Sequence, residues 1–321
     1  MTTAKTENNA ACPAFRTSIG GQALIEGILM QGPKKRAIVV RGQDGLVVKE
    51  EEIKFIKDRY PILGWPLIRG CVNFISQMAS GVRALMFSAS QLPEEEQEAE
   101  QSKLDKWIEA HFSSEKAEKL IVGLAMVMGI GMAVVLFMLL PTLLAGIFKP
   151  YVGSRILMNL IEGVIRIAIF LAYIFLATRS KDIHRVFEYH GAEHKTIFCY
   201  EKGLPLTVEN VRPQGKYHPR CGTSFIFIVM IISILVFSVV SWSTPLMRML
   251  LRLVLIPVVV AISYELIRWA GRHDNLLSRI LSAPGKALQR LTVYEPDDGM
   301  IECAIKAMEL VIPEEKGSDA W

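Results

Sequence analysis

Cysteine is scarce. The 321 residues hold five, Cys12, Cys71, Cys199, Cys221 and Cys303. An odd number at irregular spacings argues against a disulfide framework and for reduced thiols in a cytoplasmic setting. Excess charge is small, at +4 for the chain, so no nucleic-acid surface is expected. Strict repeats are missing; Leu-Ile-Glu-Gly at 24–27 and 160–163 is a four-residue coincidence. The first 18 residues lack the apolar core of a signal peptide and contain Pro13. Residues 1–17 therefore read as a disordered cytoplasmic tail.

Charge is also nearly missing from several long stretches. Hydrophobic types make up 51% of the chain and mean hydropathy is +0.32. A spanning helix needs about 20 mostly apolar residues. Four segments qualify: Leu120–Phe148, Ile156–Ala177, Ser224–Trp242 and Pro245–Ile267. The second carries Glu162 and Arg166, and the fourth is interrupted by Arg248, Arg252 and Pro257. Lys and Arg crowd the region before the first span, the 179–222 connection and the region after the fourth. The two other connections are short and poor in charge. The positive-inside rule then puts both termini and the 179–222 loop in the cytoplasm.

The expected fold is mainly α, a polytopic membrane protein of about four transmembrane helices with an amphipathic helix and a small N-terminal β-element. Residues 18–59 form the β-rich cytoplasmic element, and 60–118 an amphipathic helix and acidic linker. Residues 119–178 and 223–270 are transmembrane hairpins. Between them, 179–222 is a cytoplasmic loop-helix, and 271–321 is a cytoplasmic C-terminal region. Ala37–Arg41 and Leu46–Lys49 read as strands around the turn Gln43-Asp44-Gly45, with Ala23–Met30 as a third. So small a sheet needs a neighbour to pack on.

Leu67–Met86 places Leu67, Ile68, Cys71, Val72, Ile75, Met78, Val82 and Leu85 at helical spacing. It reads as an amphipathic helix, lying in the interface or docked on the bundle. Pro93–Glu100 is an acidic linker, Leu104–Phe112 a helix, and Asp297 a cap for a helix over Gly299–Leu310. Ala125, Gly129 and Ala133 line one face where another helix can approach, in the bundle or from a second copy. Glu162 and Arg166, four apart, can pair as a structural feature or part of an ion path.

The chemistry-bearing segment is His190-Gly191-Ala192-Glu193-His194, the H-x-x-E-H order of inverted zinc proteases. Asp182–Tyr200 reads as a helix ended by Gly203, whose apolar stripe His190 and His194 continue. One turn apart, the two imidazoles can grip one metal ion. Glu193 lies beside them as a base toward metal-bound water. His218-Pro219-Arg220-Cys221 supplies the best remaining donors, so the expected ligands are His190, His194 and one or both of His218 and Cys221. Cys199 falls roughly opposite His190 and is weaker. Two other readings compete: a structural hydrogen-bond network, and Cys221 as a nucleophile at a helix N-terminus with His218 or His190 as base.

Several motifs resemble a known family. They are Ser18-Ile19-Gly20-Gly21-Gln22-Ala23-Leu24-Ile25-Glu26-Gly27 with Met30 and Gly32-Pro33, and Val186-Phe187-Glu188-Tyr189-His190-Gly191-Ala192-Glu193-His194-Lys195-Thr196. Leu206-Thr207-Val208-Glu209-Asn210-Val211, His218-Pro219-Arg220-Cys221-Gly222-Thr223-Ser224-Phe225 and Glu295-Pro296-Asp297-Asp298 follow. Together they resemble the YqhQ-like family of bacterial membrane proteins of unknown function. The resemblance covers nearly the whole chain and implies a metal-dependent enzyme, without a substrate.

The leading expectation is a protein of the bacterial cytoplasmic (inner) membrane with a zinc-type site, for zinc or another divalent transition metal. It would perform metal-assisted hydrolysis of a peptide or lipid-linked substrate, or carry the metal as a structural pin. The alternatives are a non-catalytic oligomeric scaffold or assembly factor, and a transporter or channel using Glu162, Arg166, Glu265 and the Pro257 break. Expected partners are the lipid bilayer, a second copy and another membrane protein.

Overall fold

The computed structural model describes residues 15–92, 114–239, 245–273, 275–315 and 317–320. Cys12, the acidic linker Pro93–Glu100 and the expected helix Leu104–Phe112 lie outside the described residues.

Four strands form an antiparallel meander in the order β1-β2-β3-β4: β1 (Gly20–Leu24), β2 (Gly27–Gln31), β3 (Lys35–Gly42) and β4 (Gly45–Glu52). β-branched residues favour the β3–β4 pairing, where Val39 faces Val48 and Val40 faces Val47. Ala23–Met30 is not one strand, as its composition suggests, but parts of two. The chain reverses at Ile25-Glu26, with Leu24 opposite Gly27. Glu26 takes a positive φ of 50° there. Its carboxylate is held by the Arg185 guanidinium, 2.7 Å at Nη2, and the Tyr189 hydroxyl, 3.2 Å.

The period of two along the strands then sets two cores. Ile28, Met30, Ala37 and Val39 pack with Tyr189, Ala192, Met300 and Ile301 on one face. Leu24, Leu29, Ile38 and Val40 pack with Ala84 on the other. The sheet is a wedge between helix α1 (Ile68–Ala89) and the pair α5 (Lys181–Glu201) and α9 (Asp298–Glu309). At the start of α9, Asp297 accepts from the Met300 amide at 2.8 Å, the expected cap.

The apolar helices are α2 (Ser114–Val134), α3 (Leu140–Gly146), α4 (Arg155–Ala177), α6 (Gly222–Val239) and α7 (Pro245–Arg272). A π-helical turn, Val135–Leu139, joins α2 to α3. It precedes Pro141, whose ring excludes the regular bond to the residue four before it. Leu120–Gly146, Ile156–Ala177 and Met249–Arg272 are long and apolar enough to cross a membrane, by length and composition. The fourth expected span shows as the shorter apolar helix Gly222–Ser238; residues 240–244 lie outside the described set. α8 (Leu276–Thr292) returns against α6, with Gly285 seated on Ser224.

Ala125, Gly129 and Ala133 are exposed, and no neighbouring atom lies within 4 Å of a Cβ built at Gly129. Among the described residues no helix lies on the small-residue face. α1, by contrast, is docked. Arg69 grips Glu265 of α7 with two bonds of 2.7 and 2.5 Å, and Asn73 donates to the Tyr264 hydroxyl at 2.7 Å. Its opposite side leaves Ile75 and Met78 66% and 55% exposed. The N-terminal segment is anchored from residue 17: the Thr17 amide donates to Glu201 at 2.9 Å, and Thr17 bridges to Ala320.

Buried charge ties the spans together. Glu162 and Arg166 pair at 3.1 Å, as their spacing anticipates. The same carboxylate also takes Arg252 of α7, 2.9 Å from Nη2 to Oε2, and lies 2.9 Å from the Thr142 hydroxyl of α3. Arg166 reaches Ser233 of α6 at 3.3 Å, and both guanidiniums lie within 6 Å of the Phe237 ring. One carboxylate therefore serves two cations and four helices. Removing it strands two buried charges, a change that costs about 3–5 kcal/mol. Glu162→Gln is expected to lower the unfolding temperature of the detergent-solubilised protein sharply, more than Arg166→Gln; thermal melts check it.

Candidate metal centre

α5 starts after Ser180 and ends at Gly203, whose φ of +67° suits glycine. His190 and His194 sit one turn apart on it, ring centroids 4.4 Å apart. What fixes their rings is backbone. The stretch after α8 lies against α5, where the Tyr294 amide donates to the Phe187 carbonyl at 3.0 Å. Gly191 permits this approach, because a Cβ there would overlap the Tyr294 carbonyl. The Thr292 carbonyl then lies 2.9 Å from His190 Nδ1, and the Lys216 carbonyl 2.6 Å from His194 Nδ1.

A carbonyl can only accept. Both Nδ1 atoms must therefore carry the proton, and both Nε2 atoms present lone pairs when the rings are neutral. His190 Nε2 lies 3.1 Å from Cys221 Sγ. His194 Nε2 is buried without a hydrogen-bond partner among the described residues. One ligating atom from each of His190, His194 and Cys221 lies within 4.8 Å of the other two. Backbone carbonyls bonded to the far ring nitrogens are the usual outer support of ligating histidines.

With that geometry the comparisons with known proteins can be read. Residues 65–314 match the family described as "Protein of unknown function (DUF1385)". Over 301 residues the chain is 33% identical to "Uncharacterized protein YqhQ" of Bacillus subtilis (strain 168), covering 90% of each chain. The chain belongs to the DUF1385 family. No solved structure matches it.

All three residues of the cluster fall inside the DUF1385 match. The electrostatics around them are polarised. Burial is the largest influence on the Cys221 thiol and pushes it up, but nearby His194 and the Thr223 hydroxyl at 3.3 Å prevail and hold it below its ordinary value. Burial depresses His194. Glu193, 6% exposed, accepts from the Gly21 amide at 3.0 Å. Burial pushes its carboxyl up to about 7, aided by Cys221 and opposed by His190. Gly21 is required at this spot of β1: a Cβ would come within 2.9 Å of the Glu193 side chain and 2.7 Å of the Leu29 carbonyl.

The other anticipated donors sit elsewhere. The His218 ring centroid is 5.7 Å from that of His194. Its Nδ1 accepts from the Arg220 amide at 3.3 Å, and its Nε2 lies 3.6 Å from Glu201. Glu201 also takes Arg220 and the Thr17 amide. His218 thus anchors the segment that delivers Cys221, with both ring nitrogens engaged. Cys199 turns into the core toward the Pro205 carbonyl, 3.6 Å away.

Sequence reasoning missed the orienting carbonyls, because any residue can supply one. It also missed Lys195, which is buried, donates to the Arg212 carbonyl at 2.7 Å and pairs with Glu295. Glu295 lies 3.4 Å from Lys216 as well, steadying the residue whose carbonyl aims His194. Gly191→Ala is expected to force the 292–296 backbone off α5, costing about 1–3 kcal/mol as an overpacked contact and weakening divalent-metal uptake. Thermal melts with and without added zinc measure both.

Proposed function

We propose that this chain is a multi-pass protein of the bacterial cytoplasmic (inner) membrane that holds a divalent transition metal ion, zinc first, between His190, His194 and Cys221 and uses it for hydrolysis. The observation that carries this reading is the buried, unpartnered Nε2 of His194, turned with His190 Nε2 toward a thiol whose pKa is depressed. Two imidazoles and a thiolate are a borderline-soft set suited to zinc, and three protein ligands leave a fourth position for water. A bound ion there would supply Lewis acidity and lower the pKa of that water. Glu193 is the residue to move the proton: it lies beside the cluster, and its raised pKa of about 7 lets it exchange protons near neutrality. The charge pattern of the chain supports cytoplasmic termini and a cluster on the cytoplasmic side, where Cys221 directly precedes α6. A peptide or lipid-linked group near the bilayer surface is the substrate class we favour.

Metal analysis of the purified protein tests the reading. About one equivalent of zinc is expected. It should be lost in His190→Ala, His194→Ala and Cys221→Ser, and kept in Glu193→Gln and His218→Gln. Cobalt loading should give thiolate charge-transfer absorption that vanishes in Cys221→Ser. Background metal in the wild type, with no such band on cobalt titration, sinks the proposal. Zinc kept in Glu193→Gln with turnover lost separates a reactive site from a structural pin.

A second reading, an oligomeric scaffold or assembly factor, is favoured by the Ala125-Gly129-Ala133 face of α2, uncovered among the described residues. On it, Gly129→Leu is expected to convert a cross-linkable dimer to monomer in detergent. Cross-linking that is unchanged in this variant removes the face as the contact.

A further inference from the structure

A cleft of about 730 Å³ lies between the strand end at Glu51–Lys57, α1 and the last two turns of α7. It is unlike the metal centre in every respect. Five of its cations are Lys54, Lys57, Arg83, Arg268 and Arg272. None of these five has a carboxylate in salt-bridge contact among the described residues. Of the acids nearby, Glu51 sits 3.0 Å from Lys49 and 3.7 Å from Arg36, Glu265 takes Arg69 at 2.5 Å, and Glu52 also lines the cleft. Asn73, Ser76 and Gln77 add polar hydrogen-bonding groups to the wall.

Seven positive side chains converging on one concave site, against the two carboxylates Glu51 and Glu52 that line it, call for an anion from outside. The surroundings say which kind. Arg268 and Arg272 close the apolar helix Met249–Arg272, so the cleft opens at the end of a candidate span. The segment before α1, whose Ile56, Leu63 and Gly64 line the cleft, exposes Ile56, Ile62 and Trp65. Trp beside a basic cluster at a span end is the signature of the headgroup layer. A soluble phosphate would use the charges and leave the apolar margin without a role.

We propose that this cleft binds the phosphate-bearing headgroup of an anionic phospholipid, with Arg83, Arg268 and Arg272 as its main contacts and the acyl chains lying along the exposed apolar residues Ile56, Ile62 and Trp65 of the adjoining segment. The proposal is independent of the metal centre and rests on Met249–Arg272 crossing the bilayer.

The test uses the full chain in nanodiscs of phosphatidylcholine with a minor share of phosphatidylglycerol, followed by extraction and mass spectrometry of the lipids that stay bound. Selective retention of phosphatidylglycerol is expected. The triple variant Arg83→Gln/Arg268→Gln/Arg272→Gln should weaken it at least about tenfold, given the contribution of each surface cation to anionic-lipid binding. Removing three exposed cations outside the cleft, Lys181→Gln/Arg290→Gln/Lys306→Gln, should leave it in place. Equal loss in both variants, no loss in either, or full displacement by millimolar glycerol 3-phosphate overturns the proposal. The last outcome would make the ligand a soluble phosphate. A chain that fails to enter the disc overturns the span and the proposal together; entry without selective retention overturns the proposal alone.

Discussion

The contact on which the rest depends is the seat of the 292–296 backbone on Gly191. It brings a carbonyl to His190, sets the helix that follows α8 against the sheet, and lets α5 be covered on nearly all sides. A helix so enclosed can carry His, Glu and Lys only if each finds a partner, because an unpaired buried polar atom costs about 1–3 kcal/mol. Lys195, Thr196, Glu201 and both Nδ1 atoms have theirs. The Nε2 of His194 does not, and its neighbour is a thiol. The exception coincides with the one place where three ligating atoms meet.

Two kinds of buried polarity therefore share the chain. Around Glu162 the opposed charges meet in ion pairs, and the result is a clasp among α3, α4, α6 and α7. Around Cys221 the contacts are imidazole to carbonyl and imidazole to thiol, with no ion pair among the described residues.

How much of this was legible follows the range of the interaction. Local signals did well: the α5 period, the Gly203 stop, the Asp297 cap and the Glu162–Arg166 spacing all act within a turn or two. The β3–β4 hairpin was readable from its alternation. The break at Glu26 was not, because Ile25-Glu26 holds no turn-forming residue, Gly27 alone marks it, and its partners Arg185 and Tyr189 lie far along the chain. Arg252 read as an interruption of a span because its carboxylate is 90 residues away. At the candidate site, His190 and His194 were readable as a pair, whereas choosing between His218 and Cys221 needed the Glu201 contact, which no spacing encodes. The small-residue face of α2 was visible in sequence, but not that the described residues leave it bare.

The three residues of the cluster and their supports are scattered in order of synthesis. The two imidazoles emerge on α5, the thiol only as α6 begins, and the carbonyl that turns His190 only after α8. α9, which covers the other side of α5, comes last of all. Until then α5 has the earlier-made sheet on one side and lacks the cover that α9 gives the other. The His190–His194–Cys221 cluster is thus completed from the C-terminal end: a chain that stops before residue 292 lacks the carbonyl that turns His190.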